Sequence, residues 1–377
     1  MASAKIVNEA NRREYGLDFL RVFAFALLIF YHSGMGFVTW DWHVKNSELS
    51  QELEYAMVFL NRWRLPLLFF ISGCGVWFSL RRRNWGAFAG ERLRRLLIPV
   101  LFGIFVVVPP QIYWERLAHG VPFASYLDFY SSVFDFQPYP KGSTSWHHLW
   151  FVVYILFYSL AGIPLFALLR SSGGQRAVDA LASLLEKAPP AFYLLNLPSI
   201  AVGFWLGGRY PHTHALWGDW ENLLISGITF LWGFVLASNQ RLLDLIERRR
   251  REFLVLGVLL TFVFYFLRSQ PDLRSGLAYA LTNAYMGFLW IFILVGYARA
   301  LVKRGSALLT QANEAVYPFY IVQQTITVGA VYALAQLPWN LYVKLVLVAA
   351  ITFAGSYVCY EMGRRTKLTR VLLGMKA

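Results

Sequence analysis

Long apolar runs separated by short polar segments dominate the chain. Each run has about 18 to 25 residues, the length at which an α-helix crosses the hydrocarbon layer of a bilayer. The pattern predicts an all-α polytopic integral membrane protein with about ten transmembrane helices, forming one membrane domain over residues 1–377. The predicted spans are 17–40, 54–80, 94–114, 148–169, 190–207, 222–238, 253–268, 276–298, 314–336 and 340–362.

Composition and charge agree with this interpretation. The chain is 57% hydrophobic and only 15% charged, too apolar for a soluble protein of 377 residues. Its net charge of +14 would suit a nucleic-acid partner, but the charge is distributed unevenly. When the N-terminus is placed in the cytoplasm, the inner segments hold 25 Lys and Arg residues and the outer segments hold 6. This positive-inside bias predicts that both termini are cytoplasmic and that no nucleic acid is bound. The first run lacks a signal-peptide cleavage site, so we expect it to remain as a span.

The first predicted span carries three ionisable residues, Asp18, Arg21 and His32. Eleven residues make roughly three helical turns plus 20°, so Arg21 and His32 share one face about 16 Å apart along the axis. Ionisable groups near the bilayer centre cost at least ~2.5 kcal/mol each, so this stripe should face a protein-lined or wet cavity. A structural Asp–Arg pair with a hydrogen-bonded His is the alternative. A neutral imidazole can act as a general base, which makes His32 the foremost chemical candidate.

Arginines cluster where the third predicted span begins. Arg92, Arg94 and Arg95 follow the basic turn of residues 81–83. Guanidinium forks at a membrane boundary can bind phosphate oxygens bidentately. The positive-inside bias explains the same cluster without any ligand, so both interpretations stay open.

Unusual polar residues also mark the predicted outer side. Arg62 and Arg64 either pair with Glu54 or contact an anionic or sugar group. His147 and His148 introduce the fourth span as interfacial anchors or as acceptor contacts. The long segment 115–147, rich in aromatic residues and prolines, is either a lid over an acceptor site or a packed cap.

Weaker patterns complete the picture. The small residues of 72–75 are typical of close helix packing rather than of a nucleophile turn. The pair His212 and His214 has no third ligand at a suitable spacing, so we expect no metal site. Residues 175–188 are predicted to form an amphipathic helix on the cytoplasmic surface. In the ninth span, Pro318 and the amides of residues 323–324 could break the helix and line a cavity.

The spacing of Arg21 and His32, with ten residues between them, resembles the signature of the acyltransferase-3 family of membrane proteins. The companion pattern, two arginines three residues apart at the third span, is matched by Arg92 and Arg95. One departure concerns the ninth span, where the family often has Tyr-x-x-His. This chain has Tyr320 followed by Gln323, and Gln cannot carry a proton as His does.

The resemblance implies a transmembrane O-acyltransferase in a bacterial inner membrane. It would move a succinyl or acetyl group from cytoplasmic acyl-coenzyme A to a hydroxyl of an extracytoplasmic glycan. Acyl-coenzyme A would be a co-substrate, and no cofactor would be bound permanently. The resemblance is compatible with a homo-oligomer. The implied site residues are His32, Arg21 and Asp18 for catalysis, Arg92, Arg95 and Arg94 for the donor, and Arg64, His148, Trp150, Tyr320 and Gln323 for the acceptor.

Two other functions also fit the residues. A transporter or flippase for an anionic glycan or lipid would use the same stripe of buried charge. The matched repeats and paired broken helices common in transporters are not evident in the sequence. A non-catalytic assembly or sensor protein is the third interpretation.

Overall fold

The structure, a computed structural model, describes residues 14–376 and confirms an all-α polytopic membrane protein. The predicted cytoplasmic residues Lys5, Arg12 and Arg13 lie outside this range. Within residues 14–376 the only β-type pairing is an isolated bridge between Pro138 and Thr144. The helices are α1 (Tyr15–Met35), α2 (Gln51–Leu80), α3 (Trp85–Ala118), α4 (Tyr126–Ser131), α5 (Trp150–Ala161), α6 (Ile163–Arg170), α7 (Ser172–Lys187), α8 (Leu197–Leu206), α9 (Trp220–Ala237), α10 (Gln240–Ser269), α11 (Leu277–Leu301), α12 (Ala307–Leu334), α13 (Leu341–Gly363) and α14 (Lys367–Leu372).

Seven of the described helices are long and apolar enough to cross a membrane: α1, α2, α3, α9, α10, α11 and α13. An eighth candidate is a bent pair, His147–Ala161 followed by Ile163–Arg170, with a bend of 54°. Gly162 and Pro164 lie at that bend, and a proline within a helix removes a backbone hydrogen bond. The fourth predicted span is therefore broken in two.

Two other predicted spans differ from the expectation. The fifth, residues 190–207, is interrupted by Pro198 in the sequence and divides into a 3₁₀ segment Pro189–Asn196 and the ten-residue α8. The ninth, residues 314–336, is one unbroken helix of 28 residues, α12, which contains Pro318. Polar side chains on α12, including two adjacent glutamines, make it less apolar than the seven helices above.

Helix α1 contacts four other long helices. It packs against α2, α11, α12 and α13, so its polar stripe meets protein on several sides. At its N-terminal end, Gly16 lies directly against the backbone of Ala298 on α11, which leaves no room for a side chain. The buried Arg299 next to it forms ion pairs with Glu14 at the start of α1 and with Asp244 of α10. These contacts fix the end of α1 that carries Asp18 and Arg21.

The outer segment and the amphipathic segment both have ordered structure. The predicted amphipathic helix is confirmed as α7. In the outer segment, Phe129 and Val133 are fully buried, and the ring of Phe129 packs on Tyr113 near the end of α3. This part of the loop is a packed cap.

Helices α2 and α9 approach each other through a pair of glycines. A Cβ atom on Gly73 would lie 1.9 Å from the carbonyl oxygen of Phe230, and one on Gly233 would lie 1.9 Å from that of Phe70. The Sγ atom of Cys74 also contacts the carbonyl oxygen of Gly233 at 3.2 Å. Lipid tails are as apolar as the helices, so no hydrophobic force drives membrane helices together. Small residues instead let the two backbones approach closely and gain van der Waals contact. The packing interpretation of residues 72–75 is thus the one that the structure supports.

Gly73→Ala should destabilise the protein by roughly 1–3 kcal/mol, because the added methyl group would overlap a backbone oxygen and push α2 away from α9. Thermal unfolding of the detergent-solubilised protein measures the effect. Gly90→Ala is the matched control, since a Cβ there would meet nothing within 4 Å. Equal melting temperatures for the two variants would contradict the close approach of α2 and α9.

Candidate active site

The polar stripe of α1 divides into two ends with different surroundings. Near the N-terminus, Arg21 Nη1 lies 3.8 Å from Asp18 Oδ1, one helical turn apart. At the other end, the imidazole of His32 contacts Gln323 of α12. Residue Phe25 lies between them on the same face, four residues after Arg21 and seven before His32.

The side-chain amide of Gln323 holds His32 in place. Its Oε1 and Nε2 atoms lie 3.1 Å and 2.8 Å from His32 Nδ1, so either can be the partner. When the amide oxygen faces the ring, Nδ1 carries the proton and donates it to Gln323. The Nε2 atom is then the basic nitrogen. The sequence did not identify which residue orients His32. That residue is Gln323, the position at which this chain has Gln where the family often has His.

His32 lines a cavity of about 1460 Å³. Walls come from segments predicted to be extracytoplasmic, including residues 138–139, 144–148, 212–215 and 275–277. The cavity therefore opens toward the predicted outer side. Of the residues implied for the acceptor, the structure places four at its wall besides His32: Arg64, His148, Trp150 and Tyr320.

Arg64 is a buried guanidinium, only 3% exposed, at this wall. Its guanidinium carbon lies 3.3 Å from the ring centroid of Tyr31, the neighbour of His32, which is a close cation–π contact. The Nε and Nη1 atoms of Arg64 make no hydrogen bond within the described residues. Glu54 instead bonds Thr39 and pairs with Arg268, so the pairing of Arg64 with Glu54 does not occur.

His148 and Tyr320 tie the fourth span to α12. His148 Nε2 lies 2.9 Å from the carbonyl oxygen of Ile321, and the Tyr320 hydroxyl donates to the carbonyl of His148. The other ring nitrogen of His148 contacts Gln111 at 3.4 Å. Because both nitrogens are engaged, His148 offers the cavity its ring edge rather than a free base.

Trp150 stacks on His214 with ring centroids 4.1 Å apart and an interplanar angle of 19°. Burial lowers the pKa of His214, which keeps this stacked imidazole neutral. The other histidine of the pair, His212, instead contacts Glu221 at 3.2 Å. Together Trp150 and His214 form a flat aromatic surface at the outer opening.

The implied donor residues lie at the other end of the bundle. Arg92 is within electrostatic range of Arg21 and of Arg95, and its Nε atom is buried without a hydrogen bond in the described chain. Arg95 bonds the carbonyl of Gly374 at 3.2 Å and lies 3.6 Å from Glu91. Arg94 points outward and is exposed.

The implied donor residues lie apart from the wall of the cavity. None of Arg21, Arg92 and Arg95 lines the cavity that contains His32. Between them, the ring of Phe25 packs edge-on against Tyr320 at 5.3 Å and against Phe151 at 6.3 Å. Phe151 and Tyr320 line the cavity, and Phe25 packs behind them.

Sequence reasoning missed a second polar cluster at the outer opening. His43 Nδ1 lies 2.5 Å from Glu115 Oε2, and the rings of His43 and His147 stack at 4.8 Å. The Tyr139 hydroxyl donates to Glu115 at 2.5 Å. These residues come from three segments distant in sequence, so spacing alone offers no signal that they meet.

Comparison with known proteins places this arrangement in context. The profile of an acyltransferase domain, that of the acyltransferase-3 family, matches residues 14–361. Glucans biosynthesis protein C of Salmonella schwarzengrund (strain CVM19633) is 24% identical over 197 residues, which cover 50% of this chain and 48% of that protein. The protein of the same name from Salmonella typhi gives the same values.

The chain thus spans about half the length of the curated relatives it matches. No solved structure is significantly similar. The profile match covers nearly the whole described chain, and both motif histidine and motif arginines fall within it. The chain belongs to the acyltransferase-3 family and is a multi-pass membrane protein.

Proposed function

We propose that this protein is a transmembrane O-acyltransferase that moves a succinyl or acetyl group from cytoplasmic acyl-coenzyme A to a hydroxyl of an extracytoplasmic glycan. The observation that carries the proposal is the position of His32. Its Nδ1 atom is held by Gln323, and its ring lines a cavity of about 1460 Å³ that opens toward the predicted outer side. The name of the similar Salmonella proteins, glucans biosynthesis protein C, supports a glucan-type acceptor, and the same likeness supports a bacterial inner membrane.

In this mechanism His32 Nε2 removes the proton from an acceptor hydroxyl as the oxygen attacks the thioester carbonyl. A new C–O bond forms, and the C–S bond breaks when the tetrahedral intermediate collapses. The imidazolium then returns its proton to the departing thiolate of coenzyme A. Gln323 acts as a positioning residue, because it keeps the other ring proton on Nδ1.

Arg64 supplies positive charge beside this reaction. It lies within electrostatic range of His32, and two of its nitrogens have no hydrogen-bond partner in the described residues. Buried donors aimed at developing negative charge stabilise a transition state more than the ground state. The acceptor would contact Arg64, Trp150 and Tyr320 along the cavity wall.

At the inner end, Arg92 and Arg95 would bind the phosphates of the donor, with Arg21 and its partner Asp18 beside them and Arg94 at the exposed rim. The pantetheine arm would then extend from these arginines along α1 toward His32. Entry of that arm requires Phe25 to move away from Tyr320 and Phe151. A transporter would not need a base held by an amide, so transfer of label decides between the two functions.

Proteoliposomes test the proposal directly. Labelled acetyl- or succinyl-coenzyme A is supplied on the side of the basic loops, and a glycan extract is supplied on the opposite side. Label should appear on the glycan. Glycan counterflow without any acyl donor, and without label transfer, would instead identify a transporter.

His32→Ala should lower acyl transfer at least about 100-fold, because general base catalysis contributes roughly 10²–10⁴-fold. The measurement is the initial rate of label transfer, with size-exclusion chromatography to confirm that the variant is folded. His119→Ala, an exposed histidine outside the cavity, is the matched control. Retention of more than a few per cent of the rate in His32→Ala would exclude His32 as the base.

Gln323→Ala should lower kcat about 10- to 100-fold while leaving the KM for the acceptor nearly unchanged, because only the orientation of His32 is lost. Gln323→His still offers an acceptor nitrogen and should recover part of that rate. This rescue separates positioning from a general packing defect. Equal rates for Gln323→Ala and the unmodified protein would show that the contact with His32 has no role in turnover.

The double variant Arg92→Ala, Arg95→Ala should weaken donor binding at least about 100-fold, since hydrogen bonds to charged groups contribute roughly 1.5–3 kcal/mol each. Isothermal titration calorimetry with acyl-coenzyme A measures the affinity. Arg304→Ala removes an exposed arginine from another predicted cytoplasmic loop and serves as the control. Unchanged affinity in the double variant would remove these arginines from the donor site.

A further inference from the structure

Three potential metal ligands converge at the outer opening of the cavity. His43 follows α1, Glu115 lies near the end of α3, and His147 precedes α5. One ligand atom from each residue lies within 4.8 Å of the other two. The residues therefore form a compact group despite their separation in sequence.

The group is largely buried, and one of its nitrogens makes no hydrogen bond within the described residues. The side chains of His43 and Glu115 are each only 14% exposed. His147 Nδ1 contacts Ser145 Oγ at 2.7 Å, whereas His147 Nε2 is buried without a hydrogen bond in the part of the chain that the structure describes. A buried polar atom without a partner costs roughly 1–3 kcal/mol, so this nitrogen calls for a ligand.

We propose that His43, Glu115 and His147 form a binding site for a divalent transition-metal ion of the zinc type. Two imidazoles and one carboxylate are a ligand set that Zn²⁺ takes in sites with an open fourth position. His43 and His147 both line the cavity, so that open position would face it. The sequence predicts no metal site in this chain, because the one pair that it offered, His212 and His214, has no third ligand. This proposal departs from that prediction, and the cluster does not include that pair.

Neighbouring groups hold the second polar atom of each ligand. Tyr139 donates to Glu115 Oε1 at 2.5 Å, Ser145 contacts His147 Nδ1, and Gln324 Nε2 lies 3.1 Å from His43 Nε2. Such outer contacts orient metal ligands and are a regular feature of metal sites. When His43 binds through Nδ1, its proton lies on Nε2 and the amide of Gln324 turns to accept it.

The loop that carries His43 is anchored independently of the ligands. The Nζ atom of Lys45 donates to the carbonyl oxygens of Met35 at 2.6 Å and Trp40 at 2.8 Å, and also to that of Val38. Burial lowers the pKa of Lys45 to about 8. The polypeptide on which His43 sits is thus well defined before any ion binds.

Binding requires a small rearrangement with a measurable proton balance. Two ligand atoms on a tetrahedral zinc lie about 3.3 Å apart, whereas His43 Nδ1 and Glu115 Oε2 are 2.5 Å apart. Their hydrogen bond must open, and a proton shared by the pair must pass to the buffer or to another group.

The ion would link Glu115 and His147, at the two ends of the outer segment, to His43 in the loop after α1. This link would lie close to where the acceptor enters. An acceptor oxygen could then take the open position. Only this last point rests on the proposed function, because metal binding needs neither donor nor acceptor.

Calorimetric titration of the chelator-treated, detergent-solubilised full chain with ZnCl₂ tests the proposal. We expect saturable binding of one ion per chain, weakened roughly tenfold or more in Glu115→Gln and in His147→Ala. His119→Ala, on the same outer surface, and His32→Ala should both bind like the unmodified protein. No saturable binding, or unchanged affinity in both ligand variants, would overturn the site.

Zinc-edge X-ray absorption of the loaded protein gives a readout that does not depend on variants. The site predicts two imidazoles and one carboxylate at about 2.0–2.2 Å from the metal. A shell of sulfur, or of water oxygens alone, would contradict it. If His32→Ala abolishes acyl transfer but still binds zinc, the two proposals stand separately. If the unmodified protein transfers the acyl group normally but binds no zinc, only the metal site is overturned.

Discussion

A polar side chain inside the hydrocarbon layer must find its partners within the protein, and this requirement organises the bundle around α1. Asp18 and Arg21 satisfy each other at one end, and His32 reaches Gln323 at the other. Meeting these needs brings α12 against α1. The long helix that carries the adjacent amides Gln323 and Gln324 therefore packs beside the helix that carries Asp18, Arg21 and His32.

This arrangement leaves an asymmetric interior. A large cavity opens toward the predicted outer side, and the packed rings of Phe25, Phe151 and Tyr320 lie between His32 and Arg21. An acyltransferase that draws its two substrates from opposite sides needs such a barrier, because an open passage would leak solutes. Opening the barrier only when the donor is bound would couple substrate binding to access.

The sequence predicted the fold class, most of the span positions and the shared face of Arg21 and His32, because these depend on local periodicity. Periodicity cannot show where a helix bends under tertiary contacts, so the 54° break in the fourth predicted span was not foreseen. It also cannot show long-range partners. The contact between His32 and Gln323 joins residues 291 positions apart, and the cluster of His43, Glu115 and His147 joins three segments.

Helix α3 carries Arg92 near its inner end and Glu115 near its outer end, and its winding changes between them. Within Trp85–Ala118, two stretches, Leu93–Leu97 and Gly103–Val107, are wound as π-helix. Each such bulge amounts to one additional residue in an α-helix and turns everything beyond it by about 100°. The angular relation between Arg92 at the inner end and Glu115 at the outer end is consequently set by these overwide turns. Loss of a single residue that restored regular winding would leave both ends folded but aim them at different neighbours.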